Sequence, residues 1–294
     1  MPASAYHSPS TIEQAIALLA ADPLARPLSG GTDLIVQMRA GRVTPTSIVD
    51  LKHILALSGV RADAPGSLIG GFVIGAATPC TALLDHAELA AAWPGVVEAA
   101  NLIGSVQVRN RATMAGNLCN ASPAADSVPA LIAAGATCTI VGPGGSREVP
   151  VEAIPASPGK TSLGTGEFVS EIRLPARPVG GGDAYLRSIP RTEMDIAVVG
   201  AAAALVMDAN GVCTSARIAI GAVAPTALLV EAAGAALVGT SLDDDALDRM
   251  AAAVRAACRP ITDKRSTADY RTAMAGVLAR RAVLIARTRS GENA

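Results

Sequence analysis

Aromatic side chains are nearly missing from this chain: two Phe, three Tyr and one Trp make up 2% of 294 residues. Half of the sequence is hydrophobic, so a large core has to be built from small aliphatic groups. An excess of charge of either sign is missing as well. Twenty-four Lys and Arg face 25 Asp and Glu, for a net charge of −1. With no basic stripe to neutralise phosphates, a nucleic-acid surface is excluded as the main function. Cysteine is sparse and poorly spaced. Cys80, Cys119, Cys138, Cys213 and Cys258 form no C-x-x-C unit, and His7, His53 and His86 are scattered. That pattern offers neither a zinc site nor ligands for an iron–sulfur cluster on this chain alone. Five cysteines are also an odd number, which argues against a disulfide framework. Long apolar runs are absent despite a mean hydropathy of +0.40. The longest, AVVGAAAALVM at 197–207, is too short to cross a bilayer. MPASAYHSPS at the N-terminus has no Lys or Arg ahead of an apolar stretch, unlike a secretory signal. The expectation is a cytoplasmic protein with no membrane span.

What is present reads as alternating short elements. Ser10-Thr-Ile-Glu13 has the form of a capping box opening a helix that ends near Asp22. RPLSGG (26–31) reads as a strand entering a glycine turn, and TDLIVQMRAG (32–41) as a helix closed by Gly41. SIVDLKHI (47–54) reads as a strand, and SLIGGFVIGAAT (67–78) as a hairpin pivoting on Gly70-Gly71. Residues 80–103 read as short helical pieces, with Pro94 starting a new one. A helix over 126–135, a hairpin over 137–151 and a strand over 168–175 follow. ARPVGGGDA (176–184) is the best linker candidate. Beyond it, three strands (184–191, 195–207 and 213–223) precede helices near 226–238, 243–257 and 267–289. That order suits a small antiparallel sheet with helices on one face.

Two turns carry the chemistry. SGGTDL (29–34) places Gly30-Gly31 between a strand and a helix, where glycine permits positive φ and close backbone approach. Converging amides there can cradle a phosphate or pyrophosphate, or simply make a strand-to-helix turn. Neither G-x-G-x-x-G nor a P-loop is present, so a Rossmann site is not indicated. In the second region, Thr113, Asn117, Asn120, Ser122 and Asp126 crowd together around TMAGN (113–117). Such side chains cap turns and hold loops in one shape. Together the two segments could hold a diphosphate from both sides.

RPLSGGTDLIVQMRAG, and further on QVRNRATMAGNLCNASPAAD, closely resemble the flavin-binding medium subunit of the molybdenum hydroxylases, the relatives of xanthine and carbon monoxide dehydrogenases. GKTSLGTGEFVSEIRLP (159–175), EMDIAVVGAAAAL (193–205) and KRSTADYRTAMAGVLARRAV (264–283) extend the resemblance over nearly the whole chain in order. The resemblance implies an α+β protein. Residues 1–177 would form a vanillyl-alcohol-oxidase/PCMH-type FAD-binding domain of two α+β subdomains. Residues 178–294 would form a C-terminal domain with a three-stranded antiparallel sheet and a helical bundle. It further implies that Ser29, Gly30, Gly31, Thr32, Asp33 and Leu34 form one FAD segment, and Thr113, Met114, Ala115, Gly116 and Asn117 the other. Ser122 and Asp126 match an element along the cofactor, and Leu163 and Arg187 fall beside the flavin ring. Arg187 would be a cation able to stabilise a reduced, anionic flavin. Ala115 stands where the family often has glycine, which a negative φ would tolerate.

By the same resemblance, the chain passes electrons through FAD to an external acceptor. They would arrive from two two-iron two-sulfur clusters on a small partner subunit, after substrate oxidation at a molybdenum–pterin centre on a large one. A dimer of heterotrimers is the implied assembly. Gly-Gly-Thr-Asp at 30–33, where carbon monoxide dehydrogenases tend to have Gly-Gly-His-Ser, favours an aromatic N-heterocycle, purine or aldehyde as substrate of the complex. The alternatives are a carbon monoxide dehydrogenase medium subunit, a stand-alone flavin reductase of the same fold, or a nucleotide-binding module without a redox role. No residue stands out as general base, nucleophile or metal ligand. Asp195, Tyr270 and Trp93 read as structural, and Arg109 and Arg111 as paired surface arginines.

Overall fold

A computed structural model describes residues 4–63 and 71–291. The N-terminal unit is a three-stranded parallel sheet. Its strands are β1 (Ala5–His7), β2 (Arg26–Leu28) and β3 (Ser47–Asp50), in the order β1-β3-β2. Helix α1 (Ile12–Ala21) connects β1 to β2, and α2 (Leu34–Arg39) connects β2 to β3. The cap of α1 lies one residue later than Ser-x-x-Glu suggests. Thr11 is the N-cap and accepts from the Gln14 amide, while the Gln14 side chain accepts from the Ser10 amide. In that frame Thr-x-x-Gln satisfies the Gln14 and Ser10 amides instead of the Glu13 and Ser10 amides. Ala15, Leu19, Val49, Leu51, Ile54, Leu57 and Phe168 make the small core beneath this sheet.

The second unit is a five-stranded antiparallel sheet. Strands β4 (Val60–Ala62) and β5 (Phe72–Gly75) lie at one side. Short helices follow: α3 (Cys80–Leu84), α4 (Ala87–Ala92), α5 (Pro94–Asn101), α6 (Val106–Arg109), α7 (Met114–Cys119) and α8 (Ser127–Ala133). Strands β6 (Thr137–Gly142) and β7 (Gly145–Pro150) form the expected hairpin around Pro143-Gly144. A two-stranded ribbon of β8 (Pro155–Ser157) and β9 (Lys160–Thr161) precedes β10 (Phe168–Leu174). The sheet order is β4-β5-β10-β6-β7. The expected hairpin within 67–78 is not how β5 pairs: its partners are β4 and β10, and residues 67–70 lie outside the described residues.

The third unit is a four-stranded antiparallel sheet, β11 (Gly181–Ser188), β12 (Val199–Met207), β13 (Cys213–Gly221) and β14 (Leu228–Leu229), in that order. Helices α9 (Glu231–Ala235), α10 (Asp244–Ala257) and α11 (Ala268–Gly291) complete it. The fourth strand corrects two expectations, a three-stranded sheet and a helix over 226–238. Leu228 and Leu229 pair with Ile220 and Ala219 instead of starting a helix. Helices also cover both faces rather than one. Along β12, Ala201, Ala203 and Leu205 pack into the core that includes α10 and α11, while Ala202 joins the core that includes α5 and α8. This explains the alanine-rich, aromatic-poor composition. A Cβ on Gly182 would lie 1.8 Å from the Ala286 carbonyl oxygen, so α11 rests almost directly on the sheet backbone. Only small residues allow that approach.

Candidate cofactor cleft

The two glycine-containing loops meet. The Ser29 hydroxyl donates to the Ala76 carbonyl at 2.6 Å and lies 3.1 Å from the Thr113 hydroxyl. Ala76 is itself anchored, its amide donating to the Ser170 carbonyl where β10 bulges between Val169 and Glu171. Thr113 is the N-cap of α7 and accepts from the Gly116 amide at 2.9 Å. Gln37 on α2 donates to Asn120 Oδ1 at 2.8 Å, a second tie across the same gap. Between the loops and the 159–169 segment lies a cleft of about 790 Å³, within the usual range for small-molecule sites.

Eleven of the sequence-derived site residues line this cleft. They are Ser29, Gly30, Gly31, Thr32, Asp33 and Leu34 on one side, Thr113, Ala115, Gly116 and Asn117 on another, and Leu163 opposite. Gly31 takes φ +75°, the left-handed region. Gly30 does not, and is required for another reason: a Cβ there would sit 2.0 Å from the Arg111 carbonyl oxygen. Ala115 falls in the first turn of α7, outside the left-handed region, so its methyl is accommodated. Among the described residues the amides of Gly31, Thr32 and Asp33 meet no acceptor. Asp33 is exposed overall, yet desolvation by the surrounding cleft raises its carboxyl pKa. Glu167, also on the cleft, is paired with Arg147 at 2.8 Å, which holds its pKa down.

Four of the expected residues do not line the cleft. Met114 is 1% exposed and packs into the main core. The Ser122 hydroxyl accepts from the Ala124 amide. Asp126 and Arg187 are spent on each other, at 2.7 Å, and Asp126 also accepts from the Tyr185 hydroxyl at 2.9 Å. Burial raises Asp126 to about 6, with Arg187 and Tyr185 opposing the shift. Arg187 is therefore a buried ion-pair partner, its side chain 5% exposed. Arg109 is likewise not a surface residue: it is buried and donates to the carbonyls of Ile103 and Gly104. Trp93 is buried, as expected, and donates to the Pro175 carbonyl.

Sequence reasoning missed Gln37, Arg26, Arg42 and Lys160, which also line the cleft. Lys160 lies in the glycine-rich 159–166 stretch, which carried a signal; the others sit in ordinary strand, helix or turn contexts. The cleft thus joins three unpaired amides with three cations. That donor set fits the diphosphate of a dinucleotide such as FAD, and the apolar walls at Leu34, Ala115, Leu163 and Phe168 fit a planar ring. No helix among the described residues is long and apolar enough to cross a membrane.

Residues 2–177 match the model of an FAD binding domain in molybdopterin dehydrogenase, and residues 184–286 that of a CO dehydrogenase flavoprotein C-terminal domain. The chain is 39% identical to the carbon monoxide dehydrogenase medium chain of Afipia carboxidovorans over 286 residues, 97% of each chain. It is 32% identical to the xanthine dehydrogenase FAD-binding subunit of Escherichia coli O157:H7, over 91% of this chain and 90% of that one. Among solved structures, a Cu,Mo-CO dehydrogenase in its cyanide-inactivated form superposes with a TM-score of 0.92 at 39% identity, covering 98% of this chain and 99% of that one. With that likeness spanning both halves of the sequence, the chain belongs to the FAD-binding flavoprotein family of the molybdopterin dehydrogenases.

Proposed function

We propose that the cleft holds FAD and that the chain is the electron-transfer flavoprotein of a heterotrimeric molybdenum hydroxylase. The observation that carries this reading is the junction of Ser29 and Thr113, 84 positions apart, at the floor of a cleft edged by unpaired amides. When bound, FAD supplies the redox chemistry that no side chain here can. The amides of 31–33, together with Arg26, Arg42 and Lys160, offset the diphosphate charge. Leu34, Ala115 and Leu163 exclude water from the ring, and Asn117 donates through Nδ2. Met114, Ser122, Asp126 and Arg187 support that wall without lining the cleft.

In this reading residues 1–177 form the FAD domain and 178–294 the C-terminal domain. The partners are a large molybdenum–pterin subunit and a small subunit with two two-iron two-sulfur clusters, joined as a dimer of heterotrimers in the cytoplasm. Thr32-Asp33 favours an aromatic N-heterocycle, purine or aldehyde as substrate of the complex. The 39% identity to a carbon monoxide dehydrogenase medium chain supports the second reading, carbon monoxide. Substrate choice belongs to the large subunit, so oxidation assays on the assembled complex with carbon monoxide, a purine, an N-heterocycle and an aldehyde separate the two. For the cofactor, the full chain is purified and its visible spectrum recorded before and after heat release. About one FAD per folded chain is expected. A folded chain that carries no flavin, or releases only the mononucleotide, sinks the assignment.

A further inference from the structure

Asn117 lines the cleft from α7, and its carboxamide is held from behind by Ser127 at the start of α8. Asn117 Oδ1 accepts from the Ser127 hydroxyl at 2.7 Å and from the Ser127 amide at 3.3 Å. A backbone amide can only donate, so the atom facing it has to be the oxygen. The carboxamide is thereby fixed in one orientation. Nδ2 has no acceptor among the described residues and is not fully buried, which leaves it free to donate to a ligand.

Ser127 itself is immobilised. It is 0% exposed, and every residue of α8 is buried. Asp126, next to it, takes the Tyr185 hydroxyl at 2.9 Å and the Arg187 guanidinium at 2.7 Å, both from β11. The contacts from the C-terminal sheet end on Asp126, one peptide bond from Ser127, whose own hydrogen bonds reach Asn117 on the cleft wall.

We propose that Ser127 is a positioning residue for the cofactor: it locks the Asn117 carboxamide as a donor to FAD, and β11 anchors it through Asp126. The proposal rests on the FAD reading of the cleft and adds to it a role for residues that never touch the ligand.

The test uses the full chain, stripped of flavin and titrated with FAD by flavin fluorescence. Ser127→Ala should weaken binding about 3- to 10-fold, the worth of one neutral hydrogen bond. Asn117→Ala should weaken it about tenfold, and adding Ser127→Ala to it should change affinity by less than about twofold, because the two act through one donor. Asn117→Asp keeps an oxygen toward Ser127 but removes the donor. It should lose more than tenfold with the melting temperature of the flavin-free chain unchanged, which keeps the test open even if Ser127→Ala folds poorly. The proposal is overturned if Asn117→Asp binds FAD like the wild type. It is also overturned if the Ser127→Ala loss persists in full beside Asn117→Ala, since the serine then acts only on general packing. A wild-type chain that takes up no FAD would overturn the cleft reading and this proposal together. Normal wild-type binding with unaffected variants overturns this proposal alone.

Discussion

Gly30 and Gly31 are adjacent, and their backbones rank them oppositely to their surroundings. Gly31 has the left-handed φ of +75°, so backbone conformation alone makes it the less replaceable. The packing says otherwise. An alanine methyl at Gly30 would lie 2.0 Å from the Arg111 carbonyl oxygen, 2.7 Å from its carbon and 2.9 Å from the Ala112 Cα, all main-chain atoms. To reach ordinary contact the loop has to withdraw by about 1.4 Å. That withdrawal pulls the Ser29 hydroxyl off both Ala76 and Thr113. Two hydrogen bonds at roughly 1 kcal/mol each, plus roughly 1–3 kcal/mol of overpacking, put Gly30→Ala at about 3–5 kcal/mol. At Gly31 the methyl meets only side-chain ends, Leu28 Cδ1 at 2.9 Å and Ile35 Cδ1 at 3.0 Å. Left-handed strain of about 1–2 kcal/mol then dominates, offset in part by the stiffer unfolded chain. Thermal unfolding of the full chain reads the difference: a fall of roughly 6–10 °C for Gly30→Ala and roughly 2–4 °C for Gly31→Ala, at about 2 °C per kcal/mol for a chain of this size. Equal falls, or a larger fall for Gly31→Ala, would refute the claim that backbone contact rather than φ governs this turn.

Arg187→Met removes the cation that opposes the desolvation of Asp126, whose pKa already stands at about 6 against an ordinary 3.8. The variant's folded pKa rises further, so its stability is retained at low pH and lost as pH climbs. Urea unfolding should show a deficit of about 3 kcal/mol near pH 8 that largely vanishes near pH 4; a deficit independent of pH rules out an ion-pair origin. Gln37→Ala cuts the tie from α2 to Asn120, and α2 buries no residue of its own. Global stability should fall by less than about 1 kcal/mol, while amide exchange over 34–40 speeds up several-fold. Unchanged exchange there would mean that other contacts hold the helix.

Much of the cleft was legible because its chemistry is local. A glycine pair between a strand and a helix, and a run of Asn, Ser and Thr, are signals of a turn that binds or is bonded, whatever the rest of the fold. The helix starting at Pro94, the Pro-Gly turn of the second hairpin and the Asp208–Gly211 turn follow from residue-level preferences too; Asp208 accepts from the Asn210 and Val212 amides, and Gly211 has φ +75°. The cap of α1 shifted by a residue because two capping frames overlap. The short strands β1, β4 and β14 were not legible, since three residues or fewer carry no periodicity; β2, equally short, was legible only through the glycine turn that follows it.

The sequence by itself determined the small-residue core, the family and the two glycine-containing turns, because each rests on composition or on neighbours along the chain. Tertiary structure alone decided which glycine is sterically indispensable, that Asp126 and Arg187 neutralise each other instead of lining the cleft, and that Ser127 fixes the face Asn117 presents. Those outcomes depend on distances between groups far apart in sequence, 61 positions for Asp126 and Arg187. No local pattern encodes them: whether a charge meets a ligand or a counter-charge is settled only when the β11 strand packs beside α8.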